Sequence, residues 1–297
     1  MILAQSQILQ CYNNFEVNEM KPITKKILQD TIRIRPTQSF KGTYGKIALI
    51  GGNQNFGGAI IMSSLGAVYA GVGLTTTITD SSNQSSLHNW VPEAMYLDYH
   101  DEPAVKALIA NMDVINIGSG LGTDEKSLSL LKTVFASVSP TQILVVDGSA
   151  IDLIASNNLS LPKTKLIFTP HQMEWQKLSG VKIKDQNENT NLAAYNNLFK
   201  QQGSIVVVKS HRTQVLTPTG SFVNTVGTPA QATGGMGDTL AGIIGGFVAQ
   251  FENTENAVLA AVYTHSAIAD ELAKKQYVVL PHQISEALPQ FMKKNEA

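Results

Sequence analysis

Short apolar runs alternate along the chain with longer segments of helical periodicity, beginning near residue 46. Runs that are apolar on both faces are typical of parallel strands covered by helices on both sides. The predicted strands are 46–52, which ends in glycines, 74–79, 113–117, 143–146, 166–168 and 205–208. The predicted helices between them are 59–70, 125–137, 151–157 and 188–201. This repetition predicts a three-layer α/β/α sandwich with a mostly parallel central sheet.

The C-terminal part of the chain departs from this alternation. Residues 214–217 and 221–224 flank a turn at 218–220 and predict a β-hairpin. Residues 239–251 predict a helix with one apolar face and one face of glycine and alanine, which lets a second element approach closely. A second helix is predicted from about residue 255 to residue 274.

The pattern favours one domain. Thr24 is expected to cap a short amphipathic helix that follows Met20. No repeat, low-complexity tract or linker interrupts the rest of the chain, so we expect a single domain over residues 20–297. Residues 1–19 carry little pattern, and we expect an N-terminal extension with no assigned role.

Composition narrows the classes of function. Of the 297 residues, 43% are hydrophobic, which is ample for a large core, and the net charge is −1. That balance argues against nucleic-acid binding and against an anionic membrane surface as partners. The one cysteine, Cys11, excludes an intrachain disulfide and a cysteine-rich zinc site. The chain start lacks a signal-peptide pattern, and the longest uncharged stretch, 47–79, is too polar for a membrane helix. We therefore expect a cytoplasmic protein.

Polar and glycine residues follow the predicted strands. Because ligands of open α/β sheets bind beyond the carboxyl ends of the strands, these residues are expected to converge on one rim. They are Gly51–Asn53, Gly118–Gly122, Asp147–Gly148, Thr169–His171 and Lys209–Arg212. Such a set suits a large ligand that carries phosphates.

The strongest local signal is ATGGMGD at 232–238, which leads directly into a predicted helix. Glycines let backbone amides converge, and a helix N-terminus favours an anion. Asp238 is the only charged side chain between Arg212 and Glu252. A simple helix cap needs no such glycines, so we interpret the segment as a phosphate cradle with Asp238 as general base. The helix end is expected to keep this carboxylate ionised at neutral pH. No Gly-Lys-Ser/Thr follows, so the segment is not a Walker A loop.

Other candidates have two interpretations each. Gly118–Gly122 resembles a dinucleotide loop only loosely, and a tight turn explains it equally well. His171 is either a structural histidine or part of the site, and Glu174 either lines the same site or opens the next helix. His265 is expected to be a core histidine. Lys209 directly follows a buried strand, which favours a phosphate contact over a solvated loop. No pair of histidines or carboxylates has metal-ligand spacing, so no metal held by the protein alone is expected.

Several segments, taken in order, carry a resemblance to a known family. They are KGTYGK at 41–46, IALIGGNQNFGGA at 47–59, GSGLG at 118–122, TPHQME at 169–174, VVVKSHRT at 206–213 and GTPAQATGGMGDTLAGIIGG at 227–246. The chain resembles the ADP- or ATP-dependent NAD(P)H-hydrate dehydratases, a branch of the ribokinase-like superfamily, over roughly residues 20–290. The resemblance implies an α/β/α sandwich and the repair of NADH and NADPH whose nicotinamide ring is hydrated at C6. ADP or ATP would phosphorylate the C6 hydroxyl, after which phosphate leaves and the ring double bond returns.

The resemblance also implies roles for individual residues. Asp238 would be the base acting on the hydroxyl and would contact the hydrated cofactor together with Ala59, Gly120 and His171. The adenine nucleotide would be held by Lys209, Ser210, His211, Arg212, Thr213 and Gly237. Supporting positions would be Asn53, Asp147, Glu174, Gly234 and Gly235. Mg²⁺ would accompany the nucleotide, held mainly by phosphates and water. The family implies a homo-oligomer, with a tetramer as one expected form.

This chain departs from the family pattern at four places. It has Ser119 where the family usually has proline, and Gln172-Met173 where the family has Pro-Gly. Ser149 stands for a second aspartate, and Ser210 for glycine. Two alternatives to the repair dehydratase therefore remain open. One is a ribokinase-like kinase acting on a small alcohol, and the other is a nucleotide-binding protein with weak or no catalysis.

Overall fold

Ten strands form one sheet in the computed structural model of the protein, which describes residues 20–297. The strands are β1 (Lys21–Ile23), β2 (Lys46–Ile50), β3 (Leu74–Thr79), β4 (Met95–Asp98), β5 (Val114–Ile117), β6 (Ile143–Val146), β7 (Lys165–Phe168), β8 (Ile205–Val208), β9 (Gln214–Thr217) and β10 (Gly220–Asn224). Their order across the sheet is β1-β10-β9-β8-β7-β6-β5-β2-β3-β4. β9 pairs antiparallel with both of its neighbours, and all other pairs are parallel.

Helices cover both faces of this sheet. Within residues 20–297 they are α1 (Lys26–Thr31), α2 (Gly57–Tyr69), α3 (Gln84–Trp90), α4 (Glu102–Ile109), α5 (Glu125–Ser137), α6 (Gly148–Asn157), α7 (Gln172–Ser179), α8 (Glu188–Leu198), α9 (Met236–Gln250), α10 (Thr254–Ala273) and α11 (Pro281–Asn295). One core layer packs α1, α2, α3, α9, α10 and α11 against the sheet, and the other packs α4 to α8. The three-layer α/β/α architecture expected from the sequence is confirmed.

Central strands contribute alternate side chains to the two layers. Ile47 and Leu49 of β2 lie in one hydrophobic cluster, whereas Ala48 and Ile50 lie in the other. Successive side chains of a strand point to opposite faces, so a strand covered on both sides must be apolar throughout. This is why these strands appear in the sequence as continuous apolar runs.

Small residues bring α2 and α9 into close contact. A Cβ atom added to Gly242 would lie 2.0 Å from the carbonyl oxygen of Ser63, and one added to Gly66 would lie 2.7 Å from the carbonyl oxygen of Thr239. The glycine and alanine face predicted for residues 239–251 therefore does allow a second element to approach, and that element is α2.

Some elements differ from the sequence prediction. Thr24 is not the cap of α1, because Lys25 occupies the N-cap position and no side chain caps the helix. The pattern also missed β1, β4, α3, α4 and α11, and it indicated only the start of α7, at Glu174, without a range. β1 and β4 are edge strands with few buried residues, and α11 contains Pro289, so these elements lack the apolar signal of the central ones. The expected extension at 1–19 lies outside the described residues.

The sheet has a topological switch between β2 and β5. From β2 the chain proceeds to β3 and β4 on one side, then returns to β5 on the other side and continues to β8. In open α/β sheets the ligand crevice lies at such a switch, beyond the carboxyl ends of the two strands, so the loops after β2 and β5 are expected to line the site. The glycine-rich segments at 51–53 and 118–122 are these two loops.

Candidate active site

The loops after β2 and β5 are bonded to each other through their backbones. Gly52 N donates to Ser119 O at 2.9 Å, and Asn53 N donates to Gly120 O at 2.8 Å. A Cβ at Gly51 would lie 2.1 Å from Ser119 O, so this approach requires glycine. The two glycine-rich segments therefore form one floor beneath the crevice. The turn interpretation of 118–122 is also supported, because its three glycines all have positive φ.

Asn83 holds this floor from outside. Its Nδ2 donates to Gly52 O at 2.7 Å, and Gly57, at the start of α2, packs so closely that a Cβ there would lie 2.0 Å from Asn83 Oδ1. No motif in the sequence pointed to this residue, which lies in a short 3-10 turn after β3. Asn53, which was expected to support the site, accepts hydrogen bonds through Oδ1 from the amides of Asn55 and Phe56 and so shapes its own loop.

A buried ion pair forms the centre of the rim. Lys209 Nζ, after β8, lies 2.7 Å from Asp147 Oδ1, after β6. The same oxygen accepts a hydrogen bond from Thr169 Oγ1 at 2.7 Å, and Ser119 Oγ lies 3.4 Å from Asp147 Oδ2. Asp147 is 2% exposed. Three neighbouring strand ends, β6, β7 and β8, thus place a fixed cation at the rim, as the sequence predicted for Lys209.

The start of α9 lies against this ion pair. Gly235 is the N-cap with φ 91°, and Asp238 lies in the first turn, so Asp238 is not the cap itself. A Cβ on Gly237 would lie 3.1 Å from Lys209 Nζ, whereas one on Gly234 would meet nothing within 4 Å. The first amides of a helix have no intrahelical acceptor. The glycines therefore leave open space above unpaired amides and beside a lysine, which is an arrangement that suits a phosphate.

The Asp238 carboxyl has a pKa above the ordinary value of an aspartate. Burial raises its pKa to about 6, and the charge of Asp147 acts in the same direction. Hydrogen bonding to Ser119 and the charge of Lys209 oppose this rise without cancelling it. The sequence predicts an ionised carboxylate at neutral pH, and the raised pKa still lies below pH 7. At pH 7 a group with a pKa of about 6 is still mainly ionised, so it can accept a proton.

Lys209 remains a cation despite its surroundings. Burial by itself lowers the pKa of Lys209, but the charges of Asp147, Glu174 and Asp238 outweigh it and hold the pKa above its usual range. Its backbone is also fixed, because Lys209 N donates to Pro170 O at 2.8 Å.

His171 and Glu174 form a capping box at the start of α7. His171 Nδ1 accepts from the amides of Met173 and Glu174, at 3.1 and 3.2 Å. Glu174 Oε2 accepts from His171 N at 2.7 Å, and Glu174 Oε1 lies 3.2 Å from His171 Nε2. Both interpretations of these residues are therefore met in part, since they open a helix and also lie beside Lys209.

Ala59 and Gly120 lie together at the crevice. Gly120 has φ 65°, and a Cβ there would lie 2.9 Å from Ala59 Cβ and 2.4 Å from Phe56 O. The loop after β5 therefore lies directly against the first turn of α2. This brings the two residues into one wall, on the β2 side of the Asp147–Lys209 pair.

The segment 210–213 forms a turn at the edge of the site. Ser210 Oγ accepts from Arg212 N at 3.1 Å, and Thr213 Oγ1 donates to Ser210 O at 3.1 Å. His211 and Arg212 are exposed, and the Arg212 guanidinium donates to Thr225 O. Ser210, which replaces the family's usual glycine, therefore stabilises the turn that carries these side chains.

Two of the other departures from the family pattern also contribute hydrogen bonds. Ser119 reaches Asp147 and Asp238, and Ser149 Oγ accepts from Gly122 N at 3.1 Å. Gln172 and Met173 are exposed in the first turn of α7. These substitutions leave the Asp147–Lys209–Asp238 cluster in place.

His265, by contrast, does not line the rim. It is 6% exposed within α10, and Nδ1 lies 3.4 Å from Gln231 Nε2. Burial, with the charge of Lys209, lowers its pKa to about 4, so it is neutral at physiological pH. This agrees with the expected core histidine.

Two features of the described residues concern the requirements of a metal site and of a membrane-spanning helix. Among residues 20–297, no group of three or more His, Cys, Asp and Glu side chains is placed to hold a metal ion. Over the same part of the chain, each helix is too short or too polar to cross a bilayer.

A cavity of about 880 Å³ lies where β2 and β3 begin, lined in part by Arg35, Tyr44 and Gly71. It contains none of the candidate site residues.

Comparisons with known proteins agree with this geometry. The family model for NAD(P)H-hydrate dehydratase matches residues 47–290. The chain is 56% identical over 273 residues to an ADP-dependent (S)-NAD(P)H-hydrate dehydratase of Lactiplantibacillus plantarum, covering 92% of this chain and 97% of that protein.

Solved structures give the same answer. A ribokinase-like superfamily protein of Enterococcus faecalis superposes with a TM-score of 0.90 at 46% identity, covering 96% of this chain and 99% of that one. An ADP/ATP-dependent NAD(P)H-hydrate dehydratase of Bacillus subtilis, co-crystallised with ATP/Mg²⁺, superposes with a TM-score of 0.82 at 27% identity, covering 94% and 99%. The chain therefore belongs to the NAD(P)H-hydrate dehydratase family, within the ribokinase-like superfamily.

Proposed function

We propose that this protein repairs hydrated NADH and NADPH, removing water from the nicotinamide ring with ADP or ATP as phosphoryl donor. The observation that carries the proposal is the cluster of Asp238, Lys209 and Asp147 at the start of α9. It combines a proton acceptor, a fixed cation and open helix amides within one rim. The relatives are named ADP-dependent dehydratases, which favours ADP as the donor.

Asp238 is the proposed base. It would accept the proton of the C6 hydroxyl while that oxygen attacks the terminal phosphoryl group of the nucleotide, which leaves AMP when ADP is used. Its pKa of about 6 is close to the operating pH, which suits a group that must accept and then release a proton. The phosphorylated intermediate would then lose phosphate from C6 and a proton from the adjacent ring carbon to solvent as the ring double bond returns.

The remaining candidates would hold the two substrates. Ala59 and Gly120 would contact the hydrated cofactor along the wall that they share. His171 would contact it through its exposed ring, since both ring nitrogens already lie within hydrogen-bond distance of groups on α7. Asn53 would act by shaping the floor beneath the ring.

Lys209, Gly237 and the turn at 210–213 would hold the nucleotide phosphates and adenosine. Gly234 would keep the helix start open for the terminal phosphoryl group, where amides stabilise developing negative charge, and Gly235 would supply the left-handed N-cap that orients those amides. Asp147 would fix Lys209 through their 2.7 Å contact.

Mg²⁺ would enter with the nucleotide. Both carboxylate oxygens of Asp147 already have partners, and no cluster of metal ligands lies within residues 20–297. This donor set fits an ion held by phosphates and water. When bound, the ion supplies charge neutralisation of the phosphates.

The test of the proposal is regeneration of NADH absorbance from its hydrate. Asp238→Asn keeps the shape of the side chain but removes proton acceptance, so turnover should fall by about 10²–10⁴-fold. ADP binding should change far less, because the helix amides and Lys209 remain. Asp185→Asn, at an exposed aspartate, is the matched control and should keep full turnover.

The outcomes separate the alternatives. Activity of the Asp238→Asn variant within about threefold of the parent would refute the assigned base. A parent protein that does not regenerate NADH from its hydrate but phosphorylates a small alcohol would support the kinase alternative instead. A parent protein that binds nucleotide but catalyses neither reaction would support the binding-protein alternative.

We also propose a homo-oligomer that works in the cytoplasm. The family resemblance supports both, and the near-neutral net charge of −1 is compatible with self-association. Analytical ultracentrifugation at micromolar concentration should give a mass that is a multiple of 32.0 kDa. A monomer across the concentration range would refute the oligomer, and cell fractionation checks the location.

A further inference from the structure

The proposed nucleotide site has an excess of buried negative charge. Lys209 is the cation at its centre, and the carboxyl groups of Asp147, Glu174 and Asp238 all act on it. The guanidinium of Arg212, the next cation along this loop, is bonded to Thr225 O at the edge of the site. Phosphates that bind beside Lys209 would add further negative charge. One of the carboxyl groups is therefore expected to become neutral when the site fills.

Glu174 has the geometry for this role. It is 4% exposed, its Oε2 accepts the backbone N–H of His171 at 2.7 Å, and its Oε1 lies 3.2 Å from His171 Nε2. His171 Nδ1 accepts two amide hydrogens, so the hydrogen of the neutral ring is assigned to Nε2. A protonated carboxyl keeps a lone pair on each oxygen, so Glu174 can gain a proton without losing either contact.

The charges around Glu174 support this assignment. Burial raises its pKa to about 7, opposed by Lys209 and assisted by Asp147 and Asp152. The pKa of His171 is lowered, first by burial and then by Lys209, so the ring does not compete for the proton at neutral pH. The titratable and charged groups that face the carboxyl from its own and the neighbouring elements are His171, Lys209, Asp147 and Asp152, with Lys177 bound to Asp152 at 2.7 Å.

We propose that Glu174 takes up a proton from solvent when nucleotide phosphates bind beside Lys209. The proposal rests on the proposed nucleotide site. It makes Glu174 a residue that adjusts the charge of the pocket to a polyanionic ligand, in addition to its part in opening α7. Binding and proton uptake are then linked, and affinity for nucleotide must weaken as pH rises through neutrality.

Calorimetric titration with ADP at pH 7, in buffers of different ionisation enthalpy and with a chelator present, measures the proton count directly. The parent should take up about half a proton per ADP, because a group with a pKa near 7 is half protonated beforehand. Glu174→Gln should bind ADP with an uptake near zero. Glu188→Gln, at an exposed glutamate, should match the parent.

Two results would overturn the proposal while leaving the nucleotide site intact. One is ADP binding by the parent with no buffer dependence. The other is uptake that persists in Glu174→Gln and disappears in Asp238→Asn. If ADP produced no binding heat with the parent protein and did not change its melting temperature, the nucleotide site would be refuted, and this proposal with it.

An infrared difference spectrum of the parent protein keeps the test independent of how the variants fold. ADP should produce a carboxylic-acid carbonyl band at the expense of a carboxylate band. That band should shift when glutamate is labelled with ¹³C at the carboxyl carbon. A band that shifts only with labelled aspartate, or no band, would refute the role of Glu174.

Discussion

At the scale of the residue, Lys209 is the side chain on which most of the site depends. Its Nζ lies 2.7 Å from Asp147 Oδ1, and a Cβ added to Gly237 would lie 3.1 Å from the same Nζ. Its surroundings explain its charge, because three carboxyl groups outweigh the cost of burying an ammonium group. The same burial raises the pKa of Asp238 to about 6. The same cluster therefore keeps Lys209 charged and raises the pKa of the proposed base, Asp238.

Replacing this lysine should damage binding and stability together. Lys209→Met leaves Asp147, which is 2% exposed, without its cation, so the free energy of unfolding should fall by about 3 kcal/mol. ADP should no longer raise the melting temperature. Lys177→Met is the control, because the side chains of the Lys177–Asp152 pair are 42% and 28% exposed, and the loss should cost less than about 1 kcal/mol in urea unfolding. Equal losses in the two variants would contradict this account.

His265 should make the protein sensitive to acid. Its pKa is about 4 in the fold and near its ordinary value of 6.5 in the unfolded chain, so the unfolded state binds the extra proton between these values. Stability is therefore lost as pH falls from 6.5 towards 4, by up to about 3 kcal/mol.

Urea unfolding at several pH values checks this. His265→Gln should lose less free energy of unfolding than the parent between pH 6.5 and pH 4.5. His88→Gln, at an exposed histidine, should follow the parent. Parallel pH profiles for all three proteins would show that His265 does not titrate as inferred.

At the scale of the element, the contact between α2 and α9 sets the position of the phosphate cradle. Glycine at 66 and 242 lets the two helix backbones approach within van der Waals distance. α2 also carries Ala59, and α9 begins with Gly237 and Asp238. A change in the spacing of these helices therefore moves the proposed cofactor wall relative to the base.

A methyl group at this contact should separate the helices. Gly242→Ala would place a Cβ 2.0 Å from Ser63 O, so the free energy of unfolding should fall by about 2 kcal/mol or more, and turnover should fall with it. Gly58→Ala, on the facing helix α2, meets nothing within 4 Å and should be neutral or stabilising by up to about 1 kcal/mol. Denaturant unfolding of both variants measures the contrast, and a Gly242→Ala protein as stable as the parent would refute the close contact.

At the scale of the whole molecule, two apolar layers hold one sheet whose carboxyl edge carries the site. The layers are separate clusters on the two faces of the sheet. The site draws on the ends of β2, β5, β6, β7 and β8 and on the start of α9. No single segment contains it, so it exists only when the sheet is assembled.

We propose that residues 20–297 are one domain, which predicts the behaviour of a shortened chain that begins at Met20. It should melt cooperatively, because both clusters and every candidate site residue lie within it. ADP at 100 times its dissociation constant should add about 2.7 kcal/mol to its stability, as it should for the full chain. Scanning calorimetry with and without ADP tests both points. Loss of either property would show that residues 1–19 are required.

The sequence by itself determined the layered fold and the components of the site. Continuous apolar runs predict central parallel strands because such strands are covered on both faces. Residues directly after those strands, such as Asp147 and Lys209, could be assigned to one rim because parallel strands share a carboxyl edge. The glycines before Asp238 indicated an open helix start. These signals are local or periodic, so they can be read from the sequence without knowing which segments meet in the fold.

Only the tertiary structure decided how the components act on one another. The order of strands brings Lys209 to Asp147 and leaves Glu174 in the same buried cluster. Burial raises the pKa of the Asp238 carboxyl, because the assembled fold removes water from around it. Asn83 holds the floor of the crevice from 30 residues away along the chain. Desolvation and long-range contacts depend on which surfaces meet, and no pattern along the sequence records that.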